Sequence, residues 1–187
     1  MLSRKIVSLL AFTFLNVGIS NVSHATEKET TIDIDSSNWH IVNDGVMGGL
    51  SGGHYQIQDG HLIFTGKIST DNNGGFTSIR HPLNTVSNDV QAIKLHILGD
   101  GNRYQFRIRA THGNYSIGYK AEFSTKVDKE QTITLPLKEF IATYHGRIIA
   151  NAPSIKAENI TSIGFLIAPK QEQNFQLTVQ SIALLSD

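Results

Sequence analysis

The chain has 187 residues, 40% of them hydrophobic and 17% charged, with 16 basic against 16 acidic side chains and no cysteine. That length fits one domain and leaves little room for a multidomain enzyme, and ordinary hydrophobicity with low charge excludes a disordered tail protein. Without cysteine there can be no disulfide scaffold, thiolate zinc site, iron–sulfur cluster or thiol nucleophile.

Arg4 and Lys5 precede an almost unbroken apolar run over residues 6–15, and Ser23-His24-Ala25 then places small residues one and three positions before a cut after Ala25. This is the three-part layout of a secretory signal peptide. Residues 1–25 are expected to be removed on export, leaving a mature domain over 26–187 in the periplasm or outside the cell. The apolar run is broken by Asn16 and Gly18 and falls short of the roughly 20 residues a membrane span needs, so the chain is not expected to cross a membrane. Removal of Arg4 and Lys5 tips an even charge balance slightly toward acid. A weakly acidic domain offers no general attraction to nucleic acid.

From Thr30 onward the apolar residues recur with period two. Asp59-Gly60 sits between two short apolar runs and is a hairpin signal, because both central residues of such a turn take positive φ. Asn73-Gly74-Gly75 marks the next turn. Ile93, Leu95 and Ile97 alternate with Lys94, His96 and Leu98, and Gly99-Asp100-Gly101 follows. Tyr104, Phe106, Ile108 and Ala110 alternate with Arg103, Gln105, Arg107 and Arg109. After His112-Gly113-Asn114, the residues Tyr115, Ile117, Tyr119, Ala121 and Phe123 alternate with Ser116, Gly118, Lys120 and Glu122. Residues 137–144 are the best candidate for one short helix or turn. Ile163, Phe165 and Ile167, then Phe175, Leu177 and Val179, complete the pattern. Many short antiparallel strands separated by glycine-rich turns predict an all-β fold, a single-domain sandwich or jelly roll.

The segment Trp39-His40-Ile41-Val42-Asn43-Asp44-Gly45-Val46-Met47-Gly48-Gly49-Leu50-Ser51 holds the only tryptophan of the chain. It is no phosphate loop, since it lacks Gly-Lys-Ser/Thr and a following helix, and it lacks the spacing of a dinucleotide fingerprint. Its Trp-x-x-x-Asn-Asp-Gly-Val-Met-Gly-Gly-x-Ser pattern resembles the opening motif of the complex I intermediate-associated protein 30 family. The resemblance continues through Phe64-Thr65-Gly66, Asn73-Gly74-Gly75-Phe76, Arg80, Tyr104, Arg107, Ile163-Gly164-Phe165 and Phe175-Gln176-Leu177, and so spans residues 33 to 185. It implies a galactose-binding-like jelly-roll β-sandwich related in shape to carbohydrate-binding modules. Mitochondrial members of the family are assembly chaperones for respiratory complex I.

Two groups of residues are candidates for binding a ligand or partner. In the first, Asp44 and Ser51 make polar contacts from a loop whose Gly45, Gly48 and Gly49 let another molecule approach; alternatively these glycines serve only positive φ and close packing, and Asp44 caps a turn; Gly75 is read as a structural loop position. Trp39 is read as part of the same structural loop. The second group is the polar side of the middle strands, where Lys94, His96, Arg103, Arg107, Arg109 and Lys120 would gather with Glu122 as the one obvious counter-charge. Arginine forks suit carboxylates, phosphates or sugar hydroxyls. Arg80 is either paired with Asp44 or turned to a ligand. Tyr104, Tyr115 and Tyr119 fall on the core side, which counts against an aromatic platform for stacking sugars. The histidines show no paired spacing for a metal, and no nucleophile elbow or carboxylate pair marks a hydrolase. The expectation is a monomeric, non-catalytic binding module without a cofactor. Its partner is a protein, in an assembly- or chaperone-like role, or alternatively a glycan.

Overall fold

A computed structural model of the chain describes residues 28–144 and 146–186. The expected signal peptide lies outside the described residues, and so does His145. The strands are β1 (Lys28–Thr31), β2 (His40–Asn43), β3 (Gly52–Gln58), β4 (His61–Ile68), β5 (Thr77–Pro82), β6 (Val90–Gly99) and β7 (Arg103–His112). They continue as β8 (Tyr115–Ser124), β9 (Lys129–Pro136), β10 (Ile141–Tyr144), β11 (Arg147–Ile148), β12 (Ile160–Ile167) and β13 (Gln173–Ser186). Short 3-10 turns at Asp44–Met47, Asp71–Asn73, Leu137–Glu139 and Ala157–Asn159 are the helical segments among the described residues. The segment read as a short helix or turn is thus one 3-10 turn followed by β10.

Two antiparallel sheets pack face to face. The first runs β3-β4-β13-β6-β9, and the second runs β11-β10-β8-β7-β12-β5-β2. The long strand β13 serves two neighbours along one edge, pairing β4 through its first half and β1 through its last four residues. Asp59 and Gly60 both take positive φ, 52° and 74°, which matches the right-handed twist of the β3–β4 hairpin they close.

The alternation seen in the sequence becomes the core. Tyr104, Phe106 and Ile108 of β7, Ile163 and Phe165 of β12, and Leu177 and Val179 of β13 are buried between the sheets. Phe106 meets Phe165 edge to face at 5.2 Å, and Phe64 meets Phe175 at 4.8 Å. Each such side chain taken fully out of water contributes about 1.5–3 kcal/mol. Trp39 is also buried: its Nε1 donates to the Ile34 carbonyl at 3.0 Å, and its ring lies 4.8 Å from that of His81. It therefore pins the connection between β1 and β2 to the core.

Two expectations are corrected here. Strand β6 belongs to the first sheet while β7 and β8 belong to the second, so Lys94 and His96 do not share a face with the arginines. Tyr115 is 59% exposed: it stands at the end of β8, past the point where the facing sheet covers it, and its ring stacks over His112 at 6.1 Å.

Candidate binding surface

The glycine-rich segment folds around its own carboxylate. Asp44 is fully buried. Its Oδ1 accepts from the Ser51 amide at 3.0 Å, and its Oδ2 accepts from the Ser51 hydroxyl at 2.5 Å, the Gly75 amide at 2.6 Å and the Phe76 amide at 3.2 Å. Burial alone pushes this carboxyl upward, but the Ser51 hydroxyl and the three amides together hold it below the ordinary carboxylate value. The glycines pack onto it: a Cβ on Gly49 would stand 2.3 Å from the Asp44 Cγ, and one on Gly74 would stand 2.6 Å from Oδ2. Gly48 ends the 3-10 turn with φ 88°. Asp44 and Ser51 therefore face inward, joining the loop after β2 to the loop before β5. Gly45 and Gly48 both have nothing within 4 Å of an added Cβ, and of the two only Gly48 carries a positive φ.

The second candidate group is drawn together on the outer face of the seven-stranded sheet. Register places Lys120, Arg107, Gly164, Arg80 and His40 in one row across β8, β7, β12, β5 and β2. The next row holds Thr143, Gly118, Arg109, Ser162 and Pro82. Successive strand neighbours in register point to the same side, so Arg80, Arg107 and Arg109 surround a floor of small residues. Gly118 leaves room for one of them, since a Cβ there would come within 3.4 Å of Arg107 Nη2. Arg107 is half-buried and fixed: Nη1 donates to Gln105 Oε1 and Nη2 to Thr143 Oγ1, both at 3.0 Å.

Both partners of Arg107 are neutral, and among the described residues no carboxylate is paired with Arg80, Arg107 or Arg109. The nearby acid is committed elsewhere, because Glu122 pairs with Arg103 at 2.5 Å and with Lys120 at 2.7 Å. Burial holds the Arg107 guanidinium below its ordinary value, and the charges of Arg80 and Arg109 lower it further; Arg80 is lowered by burial and by Arg109. Arg80 makes no pair with Asp44, whose oxygens are filled by the loop. His96, on the other sheet, meets Thr132 Oγ1 at 2.9 Å through Nδ1, and Lys94 pairs with Glu29.

Three members of this surface escaped the sequence reading. Ile141 pairs with Lys120 and Ile148 with Thr143, so two aliphatic side chains, 46% and 68% exposed, border Arg107 on the same face. Thr143 itself is nearly buried. Their place depends on β10 and β11 joining the sheet beside β8, which no local pattern signals. Among the described residues no group of three or more His, Asp or Glu side chains is arranged to hold a metal ion. No helix among them is long and apolar enough to cross a membrane.

Residues 25–179 match the family described as Complex I intermediate-associated protein 30. The chain belongs to that family. A relative from Schizosaccharomyces pombe, described as an uncharacterized protein, is 28% identical over 172 residues, with 78% of each chain covered. Among solved structures, the family 11 carbohydrate-binding module of the cellulosomal cellulase Lic26A-Cel5E of Clostridium thermocellum superposes with a TM-score of 0.67 at 17% identity, covering 86% of this chain and 95% of the module. A structure of the family 11 module from Clostridium thermocellum with a beta-1,3-1,4-mixed-linked tetrasaccharide gives 0.63 at 18% identity, covering 83% and 94%. At those identities the likeness is one of fold. A complex I intermediate-associated protein 30 domain thus has the β-sandwich of a carbohydrate-binding module, with its guanidinium cluster on an outer sheet face.

Proposed function

We propose that the chain is an exported, non-catalytic binding module that holds a protein partner, in an assembly- or chaperone-like role, on the face formed by Arg80, Arg107 and Arg109. The observation that carries this reading is Arg107, ordered by two neutral acceptors with its charge left uncompensated, beside the exposed Ile141 and Ile148. Side chains ordered before binding lose little freedom on binding, and arginine bordered by apolar surface is the composition of protein-interface hot spots. Family membership supports the assembly-like role. The test is cross-linking in intact cells followed by purification of the tagged protein. Arg107→Ala should abolish a specific partner band while the variant remains folded, with an unchanged circular dichroism spectrum; equal recovery of the same proteins by wild type and variant sinks the reading.

A second reading, a glycan ligand, draws on the fold shared with the family 11 modules. Its difficulty is chemical: neither of the two rows contains Trp, Tyr or Phe on which a sugar ring could stack. Saturable binding to a neutral oligosaccharide, lost in Arg107→Ala, would favour it over the protein partner.

A further inference from the structure

We infer that the group recognised on this face is a carboxylate, presented by an acidic, extended segment of the protein partner. The inference rests on the protein-binding reading above and names the chemistry of that partner. Charge complementarity is the first argument. Three guanidiniums lie close enough for their charges to act on one another. The acid that could have balanced them, Glu122, is taken by Arg103 and Lys120. A fold gains nothing from crowding unpaired cations; an incoming carboxylate relieves the repulsion and gains paired N–H donors at the same time.

Geometry supplies the second argument. Arg107 and Arg80 are separated by one strand carrying Gly164, so their Cα atoms stand about 10 Å apart across the sheet. Because the Arg107 fork reaches the other way, over Gly118 to Thr143, a segment of four or more extended residues meets both guanidiniums, and only Gly164 occupies the strand between their Cα positions in that row. Arg109, opposite Ser162 in the next row, widens the positive field along the strands. Ile141 and Ile148 at one margin would keep water from the pairs on that side, which strengthens them relative to an open surface. A neutral glycan would use the hydrogen-bond donors and leave all three charges unbalanced.

Direct binding to the purified protein tests this with three probes at matched length and concentration: an oligoglutamate peptide, an oligoglutamine peptide and an oligogalacturonate. The oligoglutamate peptide should bind, more weakly as salt rises, with affinity falling at least about tenfold in Arg80→Gln and in Arg109→Gln. Lys67→Gln, on the other sheet, should bind as wild type does. Both arginines are exposed, and melting temperatures no lower than that of wild type would show that neither change disturbs the fold. Equal binding of the two peptides, or undiminished binding by both arginine variants, overturns the proposal. So does binding of the galacturonate with none of the glutamate peptide, which would assign the face to acidic glycans. If a cellular partner still cross-links in an Arg107-dependent manner while the two peptides bind alike, the carboxylate assignment fails and the protein-binding reading stands.

Discussion

Ser51 grips both oxygens of Asp44, its amide on Oδ1 at 3.0 Å and its hydroxyl on Oδ2 at 2.5 Å. The same hydroxyl oxygen accepts from the Ser69 amide at 3.1 Å. The β2–β3 and β4–β5 loops therefore meet on one buried charge that no cation among the described residues pairs with. Such a group is tolerable only while every lone pair is occupied.

Asp44→Ala should accordingly cost about 3 kcal/mol of stability, since it strands the amides of Ser51, Gly75 and Phe76 and hydrogen bonds to a charged group are worth about 1.5–3 kcal/mol. Ser51→Ala removes the hydroxyl that donates to Oδ2 and accepts from the Ser69 amide but leaves the carboxylate with its three amide donors, and should cost less. Urea titration of the two variants measures both losses. An unshifted midpoint for Asp44→Ala would show that the latch contributes nothing.

Glycines of the same loop separate by space. A Cβ added to Gly49 would sit 2.3 Å from the Asp44 Cγ, whereas Gly45 is open on the side its Cβ would take. Gly49→Ala should cost about 2 kcal/mol through overpacking, and Gly45→Ala should stay within about 0.5 kcal/mol of wild type. Differential scanning calorimetry on the pair decides it; equal melting temperatures would mean that the motif's glycines serve something other than packing around Asp44.

The fold was legible because its strands alternate so regularly. Tyr104 to Ala110 and Ile163 to Ile167 could be assigned inward faces from the period alone, and the Asp59-Gly60 hairpin from its residue types. Sheet membership was not legible. Lys94 and Arg107 occupy like positions in neighbouring strands of the chain, yet they lie on opposite outer faces of the sandwich, because β6 pairs with β13 and β9 while β7 pairs with β8 and β12. Pairings across so many intervening residues leave no local trace. For the same reason Tyr115, correct in its alternation, stands exposed: alternation gives the side of a strand and says nothing of where the opposing sheet stops. Gln105 could have been found, two residues before Arg107 on the same face. Thr143 and Ile148 could not.

Acidification should weaken the protein in two stages. His81 is buried against Trp39, with Nε2 on the Ser36 hydroxyl at 2.5 Å and, among the described residues, no hydrogen-bond partner for Nδ1. Burial holds its pKa below the ordinary 6.5, so the unfolded chain binds this proton first. Stability is then full above about pH 6.5 and declines as pH falls toward the folded-state pKa. Asp44 is also depressed, so its contribution is present above the usual carboxylate range and is lost only in stronger acid. Thermal melts from pH 8 to 3 should show the first decline vanish in His81→Gln and the second persist. A flat profile between pH 7 and 5 in wild type would refute the histidine assignment.

Mutual repulsion among the arginines predicts a gain of stability on removing one. Arg109 lowers the pKa of both Arg80 and Arg107, which means that the three positive charges oppose one another in the folded state. Arg109→Gln should therefore raise the melting temperature slightly at low ionic strength, and the gain should disappear at high salt, where exposed charges are screened. A salt-independent change of either sign would point to packing instead of charge. The same variant should lose partner affinity, the pattern expected where a binding surface is held against the interest of the fold.

Order and charge at Arg107 can be separated through Thr143. Its hydroxyl accepts Nη2 at 3.0 Å and donates in turn to the Gly118 carbonyl at 3.3 Å, so it fixes the guanidinium across β8 without touching the charge. Thr143→Val keeps the shape and removes the acceptor. Every cation of the face remains, and the salt dependence of binding should remain with them. The guanidinium, released on one side, must then be ordered by the partner at a cost of about 0.5–1.5 kcal/mol, which is about twofold to tenfold in affinity. Titration of an acidic peptide against wild type and Thr143→Val over a range of salt concentrations reads both quantities together. A lower affinity with parallel salt slopes assigns Thr143 to positioning Arg107. Unchanged affinity would mean that the field of the three arginines, and not the fixed fork of one, does the binding.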